Sequence, residues 1–213
     1  TMAVQGKFIT FEGGEGSGKT SAIKAILPHL EEMGYKFILT REPGGTPIAE
    51  EIRNVILSMK SEGMDGRTEA LLYAASRREH LQKKVIPNLN NGVNVLCDRY
   101  IDSSLAYQGH ARGLGIDDIL KINMFATENE WPDLTIFFDI EPEEGLARIA
   151  KNENREVNRL DIEKIEFHKS VREGYLELLK RYPNRIKRID ASQPREVVAA
   201  ECEKYILEVL KGE

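Results

Sequence analysis

The chain has 213 residues, 41% hydrophobic and 31% charged, with 30 Lys and Arg against 35 Asp and Glu for a net charge of −5. That length suffices for one large domain burying roughly 70% of its unfolded surface, and the composition excludes collagen-like, low-complexity and disordered classes. An acidic chain is a poor general binder of nucleic acid, so any grip on phosphate must come from a local cluster.

Phe8–Phe11 reads as a short β-rich run that stops at a glycine cluster. From Ser21 the pattern turns helical, with Ile23, Ile26, Leu27 and Leu30 at helical spacing up to about Gly34. Pro28 is expected to kink or shorten that helix. Lys36–Thr40 reads as a second strand, followed by the turn-rich Glu42-Pro43-Gly44-Gly45. A second helix carries Ile48, Ile52, Val55, Ile56 and Met59 on one face, and a long third helix is expected from about Thr68 to Asn90. Val93–Cys97 is a third strand, ending at Asp98-Arg99-Tyr100. Helical segments near 102–108 and 116–129 precede a fourth strand, Leu134–Ile140. Charged helices follow, then a fifth strand at Arg185–Ile189 and a last helix from Glu196 to Leu210.

Strands alternating with helices argue for an α/β fold, a parallel sheet covered on both faces. No repeat or linker divides the chain, so residues 1–213 read as a single domain. The stretch Arg148–Glu166, dense in charge and poor in apolar residues, reads as a mobile insertion or lid, at about 148–161. The longest apolar runs fall far short of the ~20 residues that span a bilayer. Cys97 and Cys202 are too few and too far apart for a disulfide framework or a zinc site. The first residues lack the apolar core of a signal peptide, and Thr1 ahead of Met2 reads as an appended residue. The expectation is a reduced, cytoplasmic protein.

The strongest motif is Gly13-Gly14-Glu15-Gly16-Ser17-Gly18-Lys19-Thr20, which fits G-x-x-x-x-G-K-[ST] between a strand and a helix. Its backbone N–H groups would cradle a nucleoside triphosphate at the positive end of the helix. Lys19 would reach the β- and γ-phosphates and the Thr20 hydroxyl would ligate magnesium. An ordinary glycine-rich turn would not need all four fixed positions. The chain lacks the Asn-Lys-x-Asp guanine motif of GTPases. Of the strand ends, Cys97-Asp98-Arg99 suits a metal-side carboxylate, acting through water, beside a phosphate-binding arginine; a surface ion pair is the plain alternative.

Tyr73 and Arg77, four apart, share a helix face and could stack a base and bond its edge, or be a core tyrosine with a snorkelling arginine. Ser104 and Gln108 are also four apart with Tyr107 between them, and an amide can both donate and accept. Arg53 borders the apolar stripe of the second helix, where it could face a cleft or only solvent. If the charged segment is helical, Arg148, Lys151, Arg155 and Arg159 share one face, either as a lid or as a solvated stripe balanced by Glu153, Glu156 and Glu163.

Thr40-Arg41-Glu42-Pro43-Gly44-Gly45-Thr46, Asp98-Arg99-Tyr100 with Ser103-Ser104, Tyr107-Gln108-Gly109 and the phosphate loop together resemble thymidylate kinase, in order from about Phe8 to Pro194. The resemblance implies a P-loop kinase sheet of five parallel strands, a homodimer, and transfer of the γ-phosphoryl group of MgATP to dTMP, giving dTDP and ADP. It implies that Arg53 and Arg99 hold the acceptor phosphate, that Tyr73 stacks on thymine where many members have Phe, and that Arg77 donates to thymine O4. Ser104 and Gln108 would complete the base edge, Tyr107 would crowd a 2′-hydroxyl, and Glu15 would accept from the 3′-hydroxyl. Glu42-Pro43 resembles the family's cis-proline turn. Gly16 stands where some members carry an arginine, which shifts the transition-state role to Arg155 of the lid, supported by Arg159, with Arg148 and the loop before Pro194 against adenine. The competing readings are another nucleoside or nucleotide kinase, and a non-catalytic nucleotide switch. Cys97, within an apolar strand, reads as a structural thiol rather than a nucleophile.

Overall fold

The computed structural model describes residues 4–152 and 154–212, so Thr1, Met2, Ala3, Glu153 and Glu213 lie outside the described residues. In chain order the elements are β1 (Phe8–Gly13), α1 (Lys19–Glu32), β2 (Phe37–Arg41), α2 (Pro47–Leu57), α3 (Gly66–His80), α4 (Ile86–Asn90), β3 (Asn94–Asp98), α5 (Ile101–Ser104), α6 (Ile116–Thr127), β4 (Leu134–Asp139), α7 (Pro142–Ala150), α8 (Ile165–Arg181), β5 (Ile186–Asp190) and α9 (Arg195–Lys211). One parallel sheet has the order β2-β3-β1-β4-β5. Every residue of β1 and β4 is buried, as expected for central strands with helices on both faces.

Side-chain alternation divides the core into two layers. Phe8, Val95 and Phe137 face one way, packing with Tyr100, Leu105, Tyr175 and Leu178; Ile9, Leu96, Ile136 and Phe138 face the other, toward Ile23, Leu30 and Ile206. From β1 the chain passes to β2 and β3 on one side, then to β4 and β5 on the other. The crevice at the carboxyl ends of the strands, where that order switches, is where α/β sheets of this kind bind ligands.

Two expectations gain detail and a third, the helical charged segment, is corrected. Pro28 lies inside α1 without ending it: the helix continues to Glu32, and the missing N–H costs one bond close to the carboxyl end. The long third helix is continuous from Gly66 to Asn90, but a π turn at Leu81–Val85 divides α3 from α4 and sets Pro87 in the first turn of α4, where a missing N–H is tolerated. The charged segment is not one helix. α7 stops at Ala150, and Asn158 explains part of the reason: its Oδ1 accepts from Leu160 N at 2.9 Å and Asp161 N at 3.3 Å, and its own N–H donates to Asp161 Oδ2 at 2.9 Å. Such side-chain bonds to backbone compete with helix, so Arg148, Lys151, Arg155 and Arg159 form no common stripe.

Candidate active site

A cleft of about 1820 Å³ opens at the carboxyl ends of β1, β2 and β3. On one flank the loop after β1 delivers Gly16 to Thr20 to the start of α1. Gly16 has φ +72, and a Cβ there would come within 2.0 Å of the Gly145 carbonyl, so backbone from α7 closes directly on the loop. Lys19, 8% exposed, donates to the Gly13 carbonyl at 3.4 Å. Burial and the nearby Arg99 cation pull its pKa below the usual lysine range. Ser17 Oγ and Asp98 Oδ1 are buried without a hydrogen-bond partner among the described residues. An orphaned carboxylate oxygen at the end of β3, in the same cleft as the Thr20 hydroxyl, is the donor set a magnesium ion and its water shell fit. Arg148 donates to the Ala191 carbonyl at 3.1 Å and to Glu144 at 3.2 Å, on the flank that Gly18, Gln193 and Pro194 also line.

Glu15 lies at the junction of the two flanks. Its Oε1 accepts from Arg99 Nη2 and from the Tyr107 hydroxyl, both at 3.2 Å, and its Oε2 accepts from Arg155 Nη2 at 3.1 Å. Burial works against its charge, but Arg99, Lys19 and Arg155 outweigh it and hold the carboxyl below the usual range. Arg155 is braced by Asp161 at 2.9 Å. Arg99 has φ +74, a left-handed backbone that a bulky residue rarely adopts, and its guanidinium lies over the Tyr107 ring at 5.2 Å. Beneath it, Glu12 accepts from the Tyr100 N–H, the Ser103 hydroxyl and the Tyr175 hydroxyl, and burial together with Asp102 pushes its pKa up to about 7.

The second flank holds Pro43, Arg53, Tyr73, Tyr107 and Gln108. The Glu42–Pro43 peptide is cis, and Arg53 Nη1 donates to the Pro43 carbonyl at 2.8 Å. Burial raises the Tyr73 hydroxyl well above its ordinary range, so the ring is neutral. Arg77 and Ser104 stand behind this wall rather than in it. Arg77 is 1% exposed and donates from Nε to Glu42 at 2.7 Å, from Nη1 to Ser104 at 2.8 Å and Asn123 at 2.6 Å, and from Nη2 to the Tyr100 carbonyl at 2.8 Å. One Nη2 N–H is left uncommitted among the described residues.

Arg159 is a correction. It does not approach the phosphate loop: its Nε donates to the Ile56 carbonyl at 2.8 Å and its Nη2 to Glu69 at 2.5 Å, tying the charged segment to α2 and α3. The expectation failed because its partner lies ninety residues away, beyond any helical spacing. Sequence reasoning missed Glu12, Glu69, His80 and Tyr175. Glu69 stands four before Tyr73 on the α3 face, a spacing that could have drawn attention to it. Glu42, His80 and Cys97 bring ligand-type atoms within 4.8 Å of one another, but Glu42 is committed to Arg77 and His80, His80 to Thr40 as well, and Cys97 to the Arg99 carbonyl. They form a hydrogen-bonded net rather than a metal centre. Burial raises the Cys97 thiol far above its usual range, as a structural thiol requires.

The family model described as Thymidylate kinase matches residues 11–202. A thymidylate kinase of Clostridium novyi is 58% identical over 202 residues, covering 95% of this chain and 98% of the relative. One of Anoxybacillus flavithermus is 62% identical over 187 residues, covering 88% and 90%. The crystal structure of thymidylate kinase from Ehrlichia chaffeensis superposes with a TM-score of 0.77 at 33% identity, over 95% of this chain and 99% of that one. A match across nearly the whole chain, on a parallel five-stranded sheet with a phosphate loop after its central strand, places this chain in the thymidylate kinase family.

Proposed function

We propose that the chain transfers the γ-phosphoryl group of ATP to dTMP, giving dTDP and ADP, with magnesium beside the nucleotide. The observation that carries this reading is a single cleft with a phosphate loop on one flank, a ring, an amide and two arginines on the other, and Glu15 joining the flanks.

ATP lies with its phosphates on the backbone of Gly13, Gly14, Gly16 and Gly18 and on Lys19, its base between Arg148 and Gln193-Pro194. The dTMP base stacks on Tyr73, with Gln108 at its edge, while Arg77 and Ser104 back that wall and hold its shape. Arg53 and Arg99 take the dTMP phosphate, Tyr107 crowds the 2′ position, and Glu15 accepts from the 3′-hydroxyl. When bound, magnesium supplies charge neutralisation at the β- and γ-phosphates, held by Thr20 and, through water, by Asp98. Lys19, Arg99 and Arg155 surround the position of the migrating group. The acceptor phosphate is already ionised, so positioning and electrostatics supply the catalysis and no strong base is required.

The reading includes one domain in which residues of about 148–161 form the lid, and a cytoplasmic setting, supported by two free and buried cysteines. No helix among the described residues is long and apolar enough to cross a membrane. It also includes a homodimer: Leu71 on α3 and Phe125 on α6, 56% and 90% exposed on adjoining helices, are apolar surface that a second copy would cover. Gel filtration tests that point.

The test of the reaction is ADP release from MgATP with dTMP, dUMP, dCMP, AMP and thymidine each offered as acceptor. Strong preference for dTMP is expected. Activity on thymidine alone would assign a nucleoside kinase, and ATP binding with no transfer to any acceptor would assign a switch.

A further inference from the structure

Gln108 lines the cleft, yet its amide is fixed from behind. Its Nε2 donates to Glu69 Oε1 at 2.8 Å, and its Oε1 is buried with no partner among the described residues. Glu69 is fully buried and also accepts from Arg112, through Nε and Nη2 at 3.3 Å, and from Arg159 at 2.5 Å. Burial opposes its charge, but Arg112, Gln108 and Arg159 hold its carboxyl below the usual range. An ionised carboxylate can only accept hydrogen bonds. The face of the Gln108 amide turned to Glu69 must therefore be the NH₂ face, which decides an O/N assignment that an amide alone leaves open.

We propose that Glu69 is a positioning residue for base choice: by locking the polarity of Gln108 it presents a bare acceptor to the cleft, so the site demands a ring that carries an N–H. This rests on the reading that the cleft takes dTMP. Thymine and uracil carry a hydrogen on N3. Cytosine carries a lone pair there, so acceptor would meet acceptor, and an unpaired buried polar atom makes such mismatches costly. The lock does not separate thymine from uracil. Arg112 and Arg159 act on it indirectly, by keeping the Glu69 carboxylate charged.

The experiment compares kcat/KM for dTMP, dCMP and dUMP in the parent protein, Glu69→Gln and Arg112→Gln. An amide at position 69 can itself donate, which frees Gln108 to turn its NH₂ toward the cleft. In Glu69→Gln the dTMP-to-dCMP ratio is expected to fall by roughly tenfold or more, with kcat on dTMP within about threefold of the parent. The dTMP-to-dUMP ratio is expected to hold, because both bases carry the N3 hydrogen. Arg112→Gln leaves Arg159 paired with the same carboxylate, which keeps it an acceptor, so both ratios are expected to hold there. An unchanged dTMP-to-dCMP ratio in folded Glu69→Gln overturns the proposal, as does a fall of equal size in both ratios, which is what general loosening would give. A parent protein with no preference for dTMP would overturn the reading of the cleft itself, a separate outcome. A calorimetric measurement on the unaltered protein needs no variant to fold. N3-methyl-dTMP, which lacks the donor, is expected to bind roughly tenfold or more weakly than dTMP, and equal affinity overturns the proposal.

Discussion

Arg155 and Glu15 are 140 residues apart in the chain, yet a 3.1 Å hydrogen bond joins the charged segment to the phosphate loop. The other oxygen of the same carboxylate holds Arg99, so one anion fixes two cations at the point where the flanks meet. Holding two guanidinium groups this close requires such an anion, because their mutual repulsion would otherwise spread them.

Arg155→Ala removes a cation that Glu15 and Asp161 hold beside the phosphate loop, one of the three that the proposed function sets around the migrating group. Turnover is expected to fall by roughly 10³, with little change in the KM for dTMP, as judged by steady-state kinetics. A variant that keeps its kcat would remove Arg155 from the transition state.

Arg159→Met gives the opposite pattern. Its partners are the Ile56 carbonyl on α2 and Glu69 on α3, not the phosphate loop, so the proposed function sets it on the acceptor side. KM for dTMP is expected to rise several-fold while KM for ATP stays within about twofold. A selective loss of ATP affinity would show that Arg159 serves the phosphate side after all.

Arg77→Met strips the buried Glu42 carboxylate of its cation and abandons Ser104 and Asn123. Uncompensated buried charge of this kind costs about 3–5 kcal/mol, so urea unfolding should register a large loss of stability. The same variant is expected to blur the preference for dTMP over dCMP. Parent-like stability would mean that the Glu42–Arg77 pair contributes little to holding the fold.

Glu12 links stability to pH. Its folded pKa is raised from 4.5 to about 7, by burial first and Asp102 second, so the folded state takes up a proton more readily than the unfolded one. The stability that proton provides is complete below pH 4.5 and is lost as pH climbs toward 7, by about 3 kcal/mol over the window. Glu12→Gln cannot ionise, so its stability relative to the parent is expected to improve over that interval. Denaturation midpoints for both proteins at several pH values check this, and parallel curves would count against it.

What the sequence disclosed was local. The phosphate loop follows β1 and opens α1, Asp98 ends β3 with Arg99 next after it, and Tyr73 lines the cleft from α3, because each depends on spacing within or beside one element. What it concealed was held by partners far along the chain. The Glu69 anchor of Arg159, the Glu12 support beneath Arg99, and the four bonds that turn Arg77 into scaffold all span different elements. The π turns at Leu81–Val85 and Leu105–Ala111 were equally hidden, since a shift of one residue in the bonding ladder leaves the apolar pattern almost unchanged.

The left-handed backbone at Arg99 sets two kinds of selection against each other. Holding a non-glycine residue at φ +74 costs on the order of 1–2 kcal/mol, a strain that Gly or Asn would bear more lightly. A library of variants at position 99 sorted for heat resistance alone should drift toward those two residues, while one sorted for growth that depends on the enzyme should return arginine. Consensus between the two screens elsewhere in the chain, and conflict at this position, would mark where the protein is optimised for chemistry at the expense of its own durability.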